Sequence, residues 1–428
     1  MNPALIVPVM YTNNPRSARN AVQVFDHPSS LHEEGELPRL LESLSKLEEQ
    51  CQIILLVSCE RELDLRATQK VQEITERFDN LNCIVIGYAE HLLVQQRFEQ
   101  LGLPALNKEI GLGSYSALRN LGLVIACVLG FDAVVFLDDD EYIDDPTFLA
   151  KAMYGLGKLT PKGIPILVKS GFYLNAQGSY LSSQEDHWYN HFWQQAHAFN
   201  TWITRAMKGP RLSRSNHVCG GCLAIHKEAF RRLSFDPWVV RGEDLDYMLN
   251  LRMYGSDIWF DNTWYLHHLP PATKSEGLRF KQDIFRWLYE QRKIEFSKTQ
   301  IDLLRVKPSS LNPYPGPFLE SGIDMRIRIT AFLRSLVSND RKHYRQAMRA
   351  IGSEAKAYAQ RNCNKYFEFQ YVWPELMNRV ENDTILKGAL LQSSARRVSN
   401  KRKEEMEEAL AASIDPGLTS EIRLNLAE

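Results

Sequence analysis

The chain has almost no excess of charge: 51 Lys and Arg stand against 52 Asp and Glu, a formal net charge of −1. That balance excludes a global attraction to nucleic acid or to an anionic membrane by the chain as a whole. Long apolar runs are missing too, and no window reaches the roughly 20 residues that a spanning helix needs. Cysteines are few, odd in number at 7, and scattered, which argues against a disulfide framework. The first residues, "MNPALIVPVMYTNNPR", put no basic stretch ahead of a short apolar run, so they carry no secretory signature. No internal repeat is present, and no GxGxxG follows a strand, which disfavours a dinucleotide-binding dehydrogenase. These absences leave an ordinary globular chain of 428 residues, expected to be reduced and cytoplasmic, with peripheral membrane contact left open.

What is present is an alternation. "ALIVPVM" (4–10), "CQIILLVS" (51–58) and "NCIVIGY" (82–88) are short, apolar and rich in β-branched residues, as buried strands are. Between them, Leu37, Leu40, Leu41, Leu44 and Leu47, then Val71, Ile74 and Phe78, recur at helical spacing. "SYSALRNLGLVIACVLG" is a further helix stopped by Gly130, and "FDAVVFL" a fourth strand. Strands alternating with amphipathic helices predict an α/β fold with a mostly parallel sheet. Later segments add a strand at 164–174, the glycine-punctuated "VCGGCLAIHKEAF", a helix from "RGEDLDY" to Gly255, and the strand "DIWFDNTWYLHHLPP". From about 275 onward helical patterns dominate, and the stretch between 326 and 402 is rich in Arg and Lys.

Four short motifs could carry chemistry. "VVFLDDDEYI" (134–143) runs an apolar strand into Asp138, Asp139 and Asp140, at the strand end where parallel sheets bind ligands. Carboxylates two residues apart there can share Mg²⁺ or Mn²⁺; an isolated acidic triplet is as often a solvated turn. "GLGSYSALRNLGL" offers a helix start with Arg119 and Asn120, suited to an anion. "VVRGEDLDY" places Arg241, Glu243 and Asp244 at another helix start, where acids serve as caps or as a general base. "WYLHHLPP" ends a strand with His267 and His268, either of which could ligate a metal.

In this order the motifs resemble the GT-A class of nucleotide-sugar glycosyltransferases, its family 2-like branch above all. Residues 113–141 look like the family's Gly…Arg-Asn-x-Gly helix, strand and DxD, and residues 219–246 like its acceptor strand and Glu-Asp. The resemblance covers roughly 4–270 and implies a Rossmann-like GT-A domain over 1–272, with donor binding in 1–145, an acceptor side in 146–272, and a helical region over 273–428. It implies transfer of a sugar, as a hexosyltransferase, from a nucleoside diphosphate sugar to a hydroxyl acceptor, with a Mn²⁺ or Mg²⁺ cofactor; inversion is expected, with retention left open. Asp138 and Asp140 would serve ribose and metal, with one of His267 and His268 completing the metal shell. Arg119 and Asn120 would face the donor, and Pro8 and Tyr11 would lie near the base. Gly220, Gly221 and Arg241 would meet the acceptor, and Asp244 would be the base with Glu243 as alternate. The family's Asp after the second strand is absent, so Glu60 in "LLVSCERE" is the candidate in its place. The triple aspartate leaves a register with Asp139 and Glu141 open.

Rival readings are a sugar-phosphate nucleotidyltransferase, which lacks its basic glycine-rich loop here, and a non-catalytic nucleotide-sugar-binding protein. Cys219-Gly-Gly-Cys222 has zinc-knuckle spacing but no second pair, so two small buried cysteines are expected. The aromatic stretch from Trp188 to Trp202 reads as a hairpin packed on the core or as a lid over the acceptor. The basic C-terminal helices read as a solvated face, with an anionic membrane or a partner as the alternative.

Overall fold

A computed structural model describes residues 1–13, 28–182, 187–271, 275–351 and 354–393. The tail expected as a loose helix, and part of the loop containing "FDHPSS", lie outside the described residues. The first half alternates as the sequence pattern predicts: β1 (Pro3–Thr12), β2 (Ser29–Ser30), α1 (Leu37–Leu44), β3 (Gln52–Ser58), α2 (Asp64–Thr75), β4 (Asn82–Ile86), α3 (Tyr88–Gln100), α4 (Tyr115–Leu129) and β5 (Ala133–Phe136). Then come β6 (Glu141–Tyr142), α5 (Phe148–Met153), β7 (Val168–Leu174), α6 (Gln195–Met207), β8 (Leu212–Arg214), β9 (Leu223–His226), α7 (Lys227–Phe230), α8 (Glu243–Met253) and β10 (Trp259–His268). The rest is helical: α9 (Glu276–Ser297), α10 (Gly316–Leu319), α11 (Ile323–Val337), α12 (Arg341–Ala350) and α13 (Glu354–Val380).

The strands form one sheet in the order β4-β3-β1-β5-β9-β7-β10-β6, with β2 added to β1 and β8 to β10. Strands β4, β3, β1 and β5 are parallel, β9 runs antiparallel between β5 and β7, and β7 and β10 are again parallel. This is the α/β class expected, a mostly parallel sheet flanked by helices with a helical region following it. Alternation along each strand feeds two apolar layers. Leu5, Val7, Ile53 and Leu55 face α1 and α2, whereas Ala4, Ile6, Ile54 and Leu56 face α4. Helix α4 is buried on nearly every side because α13 covers its outer face, with Cys127 donating to the Met377 carbonyl.

The C-terminal helices share that second layer with the sheet: Trp287 and Trp373 are fully buried in it, and the Trp373 indole donates to the Phe230 carbonyl at 2.8 Å. Helix α9 is tied to α8 by a buried charge cluster, in which the Lys293 ammonium donates to Asp236 at 2.5 Å and to both oxygens of Asp246 at 2.8 and 2.9 Å. Anything at the start of α8 is therefore held from behind by α9.

Candidate active site

The strand ends of β5 and β10, the glycine turn before β9 and the start of α8 meet at one edge of the sheet. Arg119 on α4 clasps them. Its Nε donates to Glu243 Oε1 at 3.0 Å, Nη1 donates to the Gly220 carbonyl at 2.9 Å, and Nη2 lies 3.4 Å from Asp138 Oδ1. Burial works against its charge, but Asp138 and Glu243 more than offset that and hold it protonated. Each arm of this guanidinium is engaged within the protein. Asn120 is engaged as well: its amide donates to the Glu109 and Phe235 carbonyls and accepts from the Phe235 N–H. It therefore turns inward rather than toward a donor, because a fully buried amide must satisfy its own polar atoms.

Asp138 keeps a partly open carboxylate whose pKa burial pushes up to about 6, with Arg119 pulling it down and Asp140 adding to the rise. Asp140 Oδ2 lies 3.4 Å from His268 Nε2. Burial raises Asp139 well above the usual carboxylate range, with the charges of Asp140, Asp138 and Glu36 adding to the rise, and Asp139 in turn raises the Tyr11 phenol. Glu141 is fully buried, accepts from the Asp138 N–H at 2.9 Å, and sits so close to Gly221 that a Cβ there would come within 2.0 Å of Oε1. Gly221 is thus required by close approach, and Glu141 braces the aspartate turn from inside.

Strand alternation separates the two histidines. His268 stands 4.7 Å from the Tyr173 ring, on the aspartate side. His267 stacks on Tyr142 at 4.4 Å and pairs with Asp144 at 2.8 Å, away from Asp138 and Asp140. Of the two histidines only His268 therefore stands beside Asp140, and His267 drops out of the expected metal set. Pro8 also falls outside the site: β1 continues to Thr12, so Pro8 is buried in mid-strand opposite Leu56. Tyr11 does reach the strand end, under the Lys70 ammonium at 5.2 Å. Glu60 reaches it as well, accepting from the Thr12 hydroxyl at 2.6 Å.

On the opposite wall, Gly242 takes a left-handed conformation at φ +72° and leads into Glu243 and Asp244. Asp244 accepts from the Leu245 N–H at 2.7 Å and faces Gly220, where a Cβ would stand 3.4 Å from its Oδ2. Burial raises Glu243 above the usual range, with Arg119 opposing. Arg241 lies 3.6 Å from Asp283 of α9. The guanidinium of Arg286, also on α9, packs against Gly242, where a Cβ would sit 2.1 Å from its Cζ. It donates through Nε to Glu290 and stacks on Trp287. Tyr314, buried beside Arg286, has its phenol pushed up to about 12 by burial. His217, between Phe199 and Trp202, is pushed down to about 3 by burial and by Arg286, so it is neutral. Sequence reading passes over Arg286, Tyr314, Tyr173 and Arg39, which donates to the Asp140 carbonyl at 3.0 Å.

Among the described residues no three His, Cys, Asp or Glu side chains converge closely enough to hold a metal ion by themselves. The donor set still suits a hard divalent cation. Asp138 and Asp140 are carboxylates, His268 brings an imidazole, and acids outnumber cations around them. Such an ion commonly takes one or two protein carboxylates and completes its shell with substrate phosphates and water.

No family model matches the sequence. No curated protein matches it. Many solved structures are similar in shape. One is the mannosyltransferase PcManGT from Pyrobaculum calidifontis, in complex with GDP-Man and Mn²⁺, at TM-score 0.45 and 12% identity over 87% of this chain and 86% of that one. Another is GalNAc-T7 with UDP, GalNAc and Mn²⁺, at TM-score 0.39 and 12% identity over 83% of this chain; the match spans 58% of that protein's length.

Proposed function

We propose that this chain is a metal-dependent glycosyltransferase that moves a sugar from a nucleoside diphosphate sugar to a hydroxyl acceptor with inversion. The observation that carries the reading is the Arg119 clasp, which draws Asp138, Gly220 and Glu243 from three separate elements to one point. Asp140 and His268, with Asp138 beside them, would hold Mn²⁺ or Mg²⁺, which when bound offsets the charge of the leaving diphosphate. Tyr11, Glu60 and Asp139 form the donor's nucleoside side. Arg119 orders the site, and its engagement leaves Arg286 as the guanidinium whose Nη atoms make no hydrogen bond among the described residues. Gly220, lacking a side chain, lets the sugar and the acceptor approach the sheet edge closely.

Asp244 would take the proton from the acceptor hydroxyl as the new bond forms. Glu243 is held by Arg119 and positions that helix start instead. Asp244→Asn tests the assignment. It should leave donor affinity within about twofold while lowering transfer by roughly a hundredfold or more, measured by calorimetry and by product formation. Full transfer by this variant removes Asp244 as the base. The site so proposed has two walls: nucleotide and metal on the β1 and β5 side, acceptor on the α8 side.

A further inference from the structure

Helices α11 and α12 form a hairpin that lies on α9 through α12, with Ile327, Ala331, Tyr344 and Ala347 buried. Its outer side is unusual for a protein surface. Met325, Phe332 and Leu336 are 66%, 51% and 51% exposed, and fall within about 40° of one another around α11. Trp188, 62% exposed, lies in the adjoining turn that α11 holds through Arg334 to Asn190 and Arg326 to the Phe192 carbonyl. On α12 the outward residues are Arg341, Lys342, Arg345 and Arg349, all exposed. The hairpin's two acids are engaged elsewhere, Asp324 with Lys356, and Asp340 with Ser275, Gly277 and His343. An apolar stripe with an indole at its edge, beside a basic stripe free of acids, matches the two-part chemistry of a bilayer surface carrying anionic lipid.

We propose that this hairpin face docks the protein onto anionic membranes, α11 and Trp188 entering the headgroup boundary while α12 lies against the lipid phosphates. The charge is local, which is why the near-neutral chain as a whole does not display it. Beneath this face Arg326 of α11 lies over the Trp193 ring, which meets Phe280 of α9 and Phe318, so the docked face adjoins α9, the helix that backs the α8 wall.

The test is flotation of the purified full chain with phosphatidylcholine vesicles, with and without phosphatidylserine. The wild type should float only with the anionic vesicles. Phe332→Ser with Leu336→Ser, and separately Arg341→Glu with Arg345→Glu, should each lower partitioning on the order of tenfold or more. Melting temperatures should hold, because all four side chains are exposed. No flotation of the wild type, or equal flotation of either variant, overturns the proposal. So does dimerisation of the wild type that the Phe332 and Leu336 changes abolish, since the occupant would then be a second copy.

Discussion

Arg119 is the residue on which the site depends. A guanidinium with three partners on three elements cannot be replaced by a lysine, whose single ammonium lacks the fork. Arg119→Ala should strand Glu243 as a buried, unpaired carboxylate and leave the partly open Asp138 without its cation, costing about 3–5 kcal/mol. Urea denaturation measures this; a loss within about 1 kcal/mol would mean the clasp is incidental. The residue types that matter were legible in sequence where they cluster: the three aspartates, the Glu-Asp pair and the two histidines. Their division of labour was not. Only the register of β10 against β6 separates His268 from His267, and only the fold turns Asn120 and Glu141 inward. Arg286 gave no local signal, because it sits in a helix whose neighbours look like any amphipathic segment.

At the scale of elements, periodicity located the strands and helices that feed the sheet, but not where β1 stops. Its polar end, "YT", pairs with β2 and extends the strand past the apolar run, which buries Pro8. Helix α9 is the element whose role sequence left open. It reaches the start of α8 with Arg286 and anchors it with Lys293. Its Glu290 is fully buried, and burial raises its pKa from 4.5 to about 8, against the pull of Arg286. The native state then binds more protons than the unfolded chain between those values, so this group lowers stability as pH rises from about 4.5 to about 8. Glu290→Gln, which keeps an acceptor for Arg286, should flatten that fall. Urea midpoints at the two ends of the window decide it, and equal slopes in both proteins would contradict it.

The whole molecule is built on one sheet with the candidate site at its edge, backed by helices that share its core. The α/β class could be read from alternation because parallel strands are buried on both faces and need a helix between them. The packing of α9 and α13 onto the sheet could not be read, since amphipathic faces do not name their partners. At the sheet edge, Asp138 and Asp140 are proposed to bind a nucleoside diphosphate sugar through a divalent cation. Calorimetric titration with a panel of nucleotide sugars, with Mn²⁺ and with chelator, for the wild type and Asp140→Ala, decides this. At least one donor should bind the wild type only with Mn²⁺, and Asp140→Ala should lose that binding while keeping its melting temperature. Failure of every donor to bind, or Mn²⁺-dependent binding unchanged in Asp140→Ala, would contradict it.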